Sequence, residues 1–217
     1  MISENLARIR SKLPSGVCLV AVSNYQPVES LMEAYAAGER VFGENRPQEF
    51  AAKVPLMPSD VVWHFIGHLQ TNKLKLVLPY AAMVESVDSV RLLDAINAWC
   101  IAASHPIDIL LEFHLGAEET KHGLTEDEIR GVLEAGPYDG VRIRGLMGMA
   151  TNTSDGSVIE SDFARRSALW RSLREEFPQY KDFDQLSIGM SDDWPLAVGH
   201  GATIVRIGSG IFGPREY

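Results

Sequence analysis

The sequence predicts an α/β fold in which eight strands and the helices between them form one (β/α)8 barrel. Short apolar runs, rich in β-branched residues, alternate with amphipathic runs along the whole 217-residue chain. Continuous apolar strands of this kind are typical of a parallel sheet that is covered on its outer face. No linker, repeat or change of composition divides the chain, so we expect a single TIM-barrel domain over residues 1–217.

The strand-like runs are short and rich in apolar residues. They cover residues 17–23, 40–43, 61–66, 82–86, 107–114, 141–149, 185–188 and 202–207. An open, doubly wound sheet is the structural alternative. That fold usually has a glycine-rich first βα turn, whereas the turn here reads SNYQPVE and contains no G-x-G-x-x-G.

The helical runs carry recognisable start signals. A capping box from Thr125 to Glu128 opens the run 125–135, and Asp88 or Ser89 is the predicted N-cap of the run 88–103. Pro27 suits the first turn of a helix over residues 27–37. Further helices are predicted over residues 3–13 and 159–177, the latter from an apolar stripe along one face.

Charge and composition exclude several classes of function. The net charge is −9 and no basic patch with interleaved aromatic residues occurs, which argues against nucleic acid as a partner. No apolar segment resembles a signal peptide or reaches the roughly 18 residues of a membrane span, so we expect a cytoplasmic protein. Cys18 and Cys100 are too isolated for a disulfide framework or a metal site.

In barrels of this type, functional side chains lie at the carboxyl ends of the strands. Polar residues and glycines follow almost every predicted strand, which is more than folding alone requires. The residues delivered there are Ser23, Asn24, Glu44, Asn45, His64, Gly67, Ser86, His114, Gly116, Met147, Met149, Ser187, Ile188, Gly189, Arg206, Gly208 and Ser209.

The turns after the last two strands carry the clearest signal. Gly189-Met190-Ser191 follows the seventh strand, and Gly208-Ser209-Gly210 follows the eighth. Glycines allow backbone N–H groups to approach an anion closely, and the serine hydroxyls add donors. Barrels commonly bind phosphate at these two turns, so the sequence predicts a phosphate or sulfate site here, although each segment alone is also consistent with a simple tight turn.

Other rim residues allow two interpretations each. Arg206 lies in an apolar strand and needs a partner, either an acidic residue on a neighbouring strand or the ring nitrogen or phosphate of a ligand. His64 is either a hydrogen-bonded core residue or a ligand contact. Asn45 either binds a ligand or caps the next helix, and Ser86 either binds a ligand or belongs only to a turn.

Five blocks of sequence together resemble a known family. They are FGENRPQEF (42–50), HFIGHLQTNK (64–73), GLMGMA (145–150), LSIGMSDDW (186–194) and VRIGSGIFG (205–213). The set resembles the YggS/PLPBP family of pyridoxal 5'-phosphate (PLP) binding proteins. The resemblance implies an alanine racemase N-terminal-domain-like barrel (PLP fold type III). It also implies a non-catalytic role in PLP homeostasis, with PLP-dependent apo-enzymes as candidate partners. We expect the protein to be a monomer.

The resemblance places the PLP-binding lysine of the family at position 24, where this chain has asparagine. An amide cannot form an imine with an aldehyde, so the cofactor is expected to bind noncovalently or poorly. Three explanations stay open: an introduced substitution, a natural loss of the lysine, or an imine at Lys73 or at Lys121 in the loop 115–124. The implied cofactor-binding residues are Asn24, Asn45, His64, Ser86, Met147, Ser187, Gly189, Ser191, Arg206, Gly208 and Ser209, with no catalytic residue and no metal ligand.

Two other functions compete with this one. A PLP-dependent racemase or decarboxylase would require the missing lysine and a second domain that supplies an opposing base. A barrel enzyme or binding module for another phosphorylated small molecule, such as a sugar phosphate, is the main alternative. For that function Glu44 and His114 are the candidate acid–base residues.

Overall fold

The computed structural model of the protein describes residues 1–114 and 123–214. Eight parallel strands form a closed barrel in chain order, and β8 pairs with β1 to close it. The predicted barrel is therefore confirmed. The strands are β1 Cys18–Val22, β2 Val41–Glu44, β3 Val62–Phe65, β4 Met83–Val87, β5 Ile107–Glu112, β6 Val141–Met147, β7 Gln185–Ser187 and β8 Ile204–Ile207.

Helices follow the strands on the outside of the barrel. In the described residues they are α1 Ile2–Arg10, α2 Val28–Ala36, α3 Pro47–Lys53, α4 Leu74–Val77, α5 Val90–Ala103, α6 Glu126–Ala135, α7 Gly156–Glu176, α8 Trp194–Gly199 and α9 Ser209–Phe212. Both hydrogen bonds of the predicted capping box at Thr125 are present, and Ser89 is the N-cap of α5. Pro27 differs from the prediction, since it is the N-cap of α2 rather than a first-turn residue.

The side chains of the strands alternate between two apolar layers. Leu19 and Ala21 of β1 belong to the large core between the barrel and its helices, together with Phe42 and Phe65. A small cluster inside the barrel contains the intervening residues of the strands. It consists of Val20, Met83, Leu110, Met147 and Ile204. This alternation with a period of two residues determines which side chains of a strand reach the interior.

The same alternation separates neighbouring polar residues at the ends of β1 and β2. A Cβ atom added to Gly43 would lie 2.7 Å from Val20 Cγ1, so position 43 faces the interior of the barrel. Glu44 therefore points outward and Asn45 inward. Val20 of β1 faces inward, so by the same alternation Ser23, which follows the strand, points outward to Glu44 and the next residue, Asn24, points inward.

Within residues 1–114 and 123–214, no helix combines the length and apolar character that crossing a membrane requires.

Candidate functional site

The turns after β7 and β8 lie against each other at the rim of the barrel. The backbone N–H of Arg206 donates to Gly189 O at 3.0 Å. The N–H groups of Gly208 and Gly210 donate to Ser191 Oγ at 3.1 and 3.3 Å. The predicted adjacency of the two turns is confirmed, and they form a small cup of backbone amides.

Gly189 is required at its position in this cup for two reasons. Its φ of +93° lies in the left-handed region, which residues with a side chain rarely adopt. An added Cβ would also lie 2.6 Å from Ala197 Cβ on α8. The backbone of this turn can therefore pack against α8 only with glycine here.

The hydroxyl oxygen of Ser191 accepts two of the amide hydrogen bonds of the cup. An anion that binds these amides has to displace this neutral acceptor or share them with it. Hydrogen bonds to an ionised acceptor are roughly twice as strong as those to a neutral one, so a phosphate competes favourably. The released hydroxyl can then donate its own hydrogen to the anion.

A chain of buried polar groups crosses the interior of the barrel below this rim. His64 Nδ1 lies 2.6 Å from Glu85 Oε1, and Ser187 Oγ donates to Glu85 Oε2 at 2.5 Å. Arg206 donates to the hydroxyl and the carbonyl of Ser187 and to Gly148 O. The site residues His64, Ser187 and Arg206 are thus brought together by an acidic residue, Glu85, that sequence reasoning did not single out.

The charge of Glu85 is compensated inside the protein. Burial alone raises the pKa of this carboxyl, but the hydrogen bond and charge of His64 and the charge of Arg206 outweigh burial, so the pKa lies below its ordinary value. Arg206 Nη1 is 3.7 Å from Glu85 Oε2, so this arginine forms an ion pair with an acidic residue, as one of its two interpretations predicted. A guanidinium group carries five N–H donors, so the three hydrogen bonds of Arg206 leave donors for a ligand.

Asn24 and Asn45 are conspicuous because their inward-facing polar atoms have no partner. Asn24 is 2% exposed, and neither its amide nitrogen nor its oxygen makes a hydrogen bond in the described residues. The side-chain oxygen of Asn45 is likewise buried without a partner. Buried amides are normally hydrogen-bonded, so these atoms indicate a position that a polar ligand completes.

Ser86 and Gly67 support the backbone beside Asn45. Ser86 Oγ donates to Gly67 O at 2.5 Å, and Ser86 lies within β4 rather than in a turn, so the turn interpretation of Ser86 is wrong. A Cβ atom at Gly67 would lie 2.2 Å from Asn45 O, so a larger residue would displace the end of β2. Met147 lies lower, in the apolar cluster inside the barrel.

On the outer side of the barrel wall, a buried lysine binds the ends of both β1 and β2. Lys53 Nζ on α3 donates to Ser23 O at 2.7 Å, to Glu44 Oε1 at 2.8 Å and to Glu49 Oε1 at 2.6 Å. Ser23 Oγ also donates to Glu44 Oε1. Burial raises the pKa of Glu44, and the charge of Lys53 opposes that shift. A helix after Asn45 was one of the two interpretations of that residue, but its extent was not predicted, so sequence reasoning missed this lysine.

Glu112 and Arg166 are two more buried charges that were not predicted. Burial first, and then the charge of Asp88, raise the pKa of Glu112 to about 7. Arg166 on α7 donates to Met149 O and Asp162 O, while its Nε has no partner in the described residues. Burial lowers the pKa of Arg166 to about 10. Glu112 is the last residue of β5, so an acidic residue ending an apolar strand was an available signal.

Two cavities lie near the rim. The larger, of about 680 Å³, is beside the ends of β3 and β4, and none of the predicted site residues lines it. Its polar walls include His68, Gln70, Asp88 and Arg91. A smaller cavity of about 210 Å³ is lined by Ser191 and Gly210 of the cup and by two cationic residues, Arg8 of α1 and Lys12 just after that helix. The smaller cavity therefore adjoins the predicted anion site.

The remaining candidates are separated from the interior or lie outside the described residues. The Glu44 side chain contacts Lys53 in the outer layer, so Glu44 and His114 do not form an acid–base pair inside the barrel. Lys73 ends a short 3-10 helix that follows β3. Lys121 falls outside residues 1–114 and 123–214. In those described ranges, no group of three His, Cys, Asp or Glu residues could hold a metal ion.

Comparison with known proteins identifies the class to which this barrel belongs. The family model described as the alanine racemase N-terminal domain matches residues 1–216. A pyridoxal phosphate homeostasis protein of Schizosaccharomyces pombe is 40% identical over 203 residues, which cover 92% of this chain and 84% of the relative. The chain therefore belongs to the YggS/PLPBP family, and its relatives are named as homeostasis proteins rather than racemases.

Solved structures of one relative show the same fold. The structure of PipY from Synechococcus elongatus without PLP has a TM-score of 0.92 and 37% identity, and it covers 98% of this chain and 100% of PipY. The structure of PipY with PLP bound has a TM-score of 0.90 and 35% identity, with the same coverage. The alanine racemase-like barrel expected from the sequence is confirmed.

Proposed function

We propose that this protein binds PLP noncovalently at the rim of the barrel and acts as a carrier or regulator in PLP homeostasis. The observation that supports this most directly is the buried, unpartnered amide of Asn24 at the position where the resemblance places the PLP lysine. The names of the relatives and the PLP-bound PipY structure give the ligand class.

Three groups of residues fit the parts of this ligand. The amides of Gly208 and Gly210 and the hydroxyls of Ser191 and Ser209 would hold the phosphate, and Arg8 and Lys12 add positive charge beside them. Arg206 would face the pyridine nitrogen. An arginine there keeps the ring nitrogen unprotonated and weakens the ring as an electron sink, which suits storage better than catalysis.

The absence of a lysine at position 24 changes the role of the aldehyde. PLP supplies an electrophilic aldehyde that forms imines with amines. Lys53, whose ammonium contacts the carbonyl of the neighbouring Ser23, has its ammonium hydrogens committed to this carbonyl and to two carboxylates outside the barrel. The side chain of Asn24 offers only hydrogen bonds, so the bound aldehyde stays free for a receiving apo-enzyme. We place this activity in the cytoplasm and expect a monomer of one domain.

Substitution of Asn24 by lysine tests the proposal. In the unmodified protein, PLP should bind reversibly and show no imine absorbance band that survives dialysis. Borohydride reduction should leave no covalent adduct on the protein. Asn24→Lys should gain that band, bind PLP at least tenfold more tightly, and carry the reduced adduct at position 24. Tight binding follows because a covalent bond is added to the existing phosphate contacts.

Asn72→Lys is the matched control, since Asn72 is exposed and lines the larger cavity. It should give no dialysis-resistant band. A stable band in the unmodified protein, or an adduct that maps to another lysine, contradicts noncovalent binding at Asn24. A lysine variant without any band contradicts the location of the site.

A further inference from the structure

The two unpartnered amides at the rim lie next to each other on adjacent strands. The register pairs Ala21 with Phe42 and Val22 with Gly43, and Ser23 N donates to Gly43 O at 2.9 Å. Asn24 lies two residues beyond Val22, where the chain begins a turn (Gln26 N donates to Ser23 O at 3.0 Å), and Asn45 lies two residues beyond Gly43. The ends of adjacent strands are about 4.8 Å apart, so a ligand group at this rim can contact both amides.

Most of the unpartnered atoms of this pair are acceptors, so a ligand satisfies them by donating hydrogen bonds. Within residues 1–114 and 123–214, both side-chain oxygens are buried acceptors without a partner, and the Asn24 nitrogen is a buried donor without one. A buried amide left unsatisfied costs about 1–3 kcal/mol. A ligand that donates hydrogen bonds here removes the cost at two oxygens, whereas one that only accepts can satisfy only the nitrogen.

This difference separates the forms of the proposed ligand. An aldehyde oxygen accepts hydrogen bonds and has no hydrogen to donate. An aminomethyl or hydroxymethyl group on the same carbon donates, and the hydroxyl also accepts. Lys53 does not compete for the two oxygens, since it is bound to Ser23 O and to its two carboxylates.

Building on the proposed PLP site, we propose that Asn24 and Asn45 select phosphorylated pyridines whose 4' substituent donates hydrogen bonds. The ligands of this class are the 4'-aminomethyl form, pyridoxamine 5'-phosphate, and the 4'-hydroxymethyl form, pyridoxine 5'-phosphate. Asn24 thus converts a position suited to an imine into a polar contact that discriminates between forms of the same vitamin phosphate. The protein holds the non-aldehyde forms in preference to PLP.

Calorimetric titration with four ligands that differ only at the 4' carbon tests this selection. The ligands are PLP, pyridoxamine 5'-phosphate, pyridoxine 5'-phosphate and 4-deoxypyridoxine 5'-phosphate, whose methyl group neither donates nor accepts. We expect at least one of the two donating ligands to bind about tenfold more tightly than PLP, and the methyl compound to bind most weakly. Comparison of the amine with the alcohol shows which donor the pair prefers.

Asn24→Leu should remove the preference, so that the donating ligands lose at least tenfold in affinity while the methyl compound binds as well as before or better. Asn72→Leu, at an exposed asparagine away from the pair, should keep the original order of affinities. Circular dichroism melting curves verify that each variant is folded.

The possible results separate this inference from the function on which it rests. If PLP binds as tightly as both donating ligands, or if Asn24→Leu keeps the preference, the selection by the amide pair is wrong while PLP binding stands. If none of the four ligands binds to the unmodified protein, the proposed function is wrong as well. Because the order of affinities is measured on the unmodified chain, the test does not depend on the folding of a variant.

Discussion

Ser23 and Asn24 are neighbours in the chain, and so are Glu44 and Asn45, yet the two members of each pair face different environments. Ser23 and Glu44 point outward, where they bind each other and Lys53. Asn24 and Asn45 point inward and carry unpartnered polar atoms. The outward groups stabilise the strand ends by binding one another, with one Glu44 oxygen, Oε2, left without a partner in the described residues, whereas the unsatisfied inward amides are available to a ligand. The two faces of the same strands thus have separate roles.

The largest effect on stability is expected from the outer face. Lys53→Met should lower the free energy of unfolding by about 3–5 kcal/mol, because it leaves the buried Glu44 carboxylate without its cation. Urea denaturation followed by fluorescence measures the change. Lys75→Met, at an exposed lysine, is the control and should change stability by less than about 0.5 kcal/mol. Equal effects of the two substitutions would show that the contacts of Lys53 with Ser23, Glu44 and Glu49 do not contribute to stability.

The next effect is pH-dependent and concerns the inner face. Burial and the charge of Asp88 give Glu112 a pKa of about 7 in the folded protein, above the ordinary value of 4.5 for this side chain. The folded state therefore binds more protons between these values, so stability falls as pH rises from about 4.5 to 7 and stays reduced above 7. Glu112→Gln should remove this loss and stabilise the protein at pH 8 by up to about 3 kcal/mol.

Chemical denaturation at pH 5 and at pH 8 measures this effect. The variant should gain relative to the unmodified protein at pH 8 and should gain much less at pH 5. Glu134→Gln, at an exposed position of α6, provides the control for removing one negative charge. A Glu112→Gln variant that gains equally at both pH values would show that Glu112 ionises normally.

The smallest effects are expected to have opposite signs at adjacent residues. Ser23→Ala should destabilise the protein by about 1–2 kcal/mol, because Glu44 loses a buried hydrogen-bond donor. Asn24→Leu should stabilise the ligand-free protein by about 1 kcal/mol, since an apolar group of similar size replaces an unsatisfied amide. The unfolding free energies of the two variants test this prediction. Loss of stability in both variants would contradict the different roles of the outer and inner faces.

The sequence predicts the barrel well, because a period of two residues within strands and repeated strand–helix alternation are local signals. It also predicts the contact between the turns at Gly189 and Gly208, since the carboxyl ends of β7 and β8 are neighbours in any closed barrel of this order. Asn24 was found through the family resemblance. Its unpartnered state depends on the direction of neighbouring side chains, which only coordinates give.

Other parts of the site required the three-dimensional structure. Glu85 meets His64, Ser187 and Arg206 across the interior of the barrel, and these contacts join residues that are far apart in the chain. Lys53 belongs to a short helix, α3, that begins at a proline and has no long apolar stripe. Neither the partner of a buried charge nor a helix of seven residues is marked by sequence periodicity.

A crystal structure of the unmodified protein soaked with PLP tests the central claim most directly. We predict that the phosphate lies within hydrogen-bonding distance of Ser191 and the amides of Gly208 and Gly210. The 4' carbon should face Asn24, with no continuous density from the ligand to any lysine. Density joined to a lysine side chain, or PLP bound only in the cavity beside β3 and β4, would contradict the account.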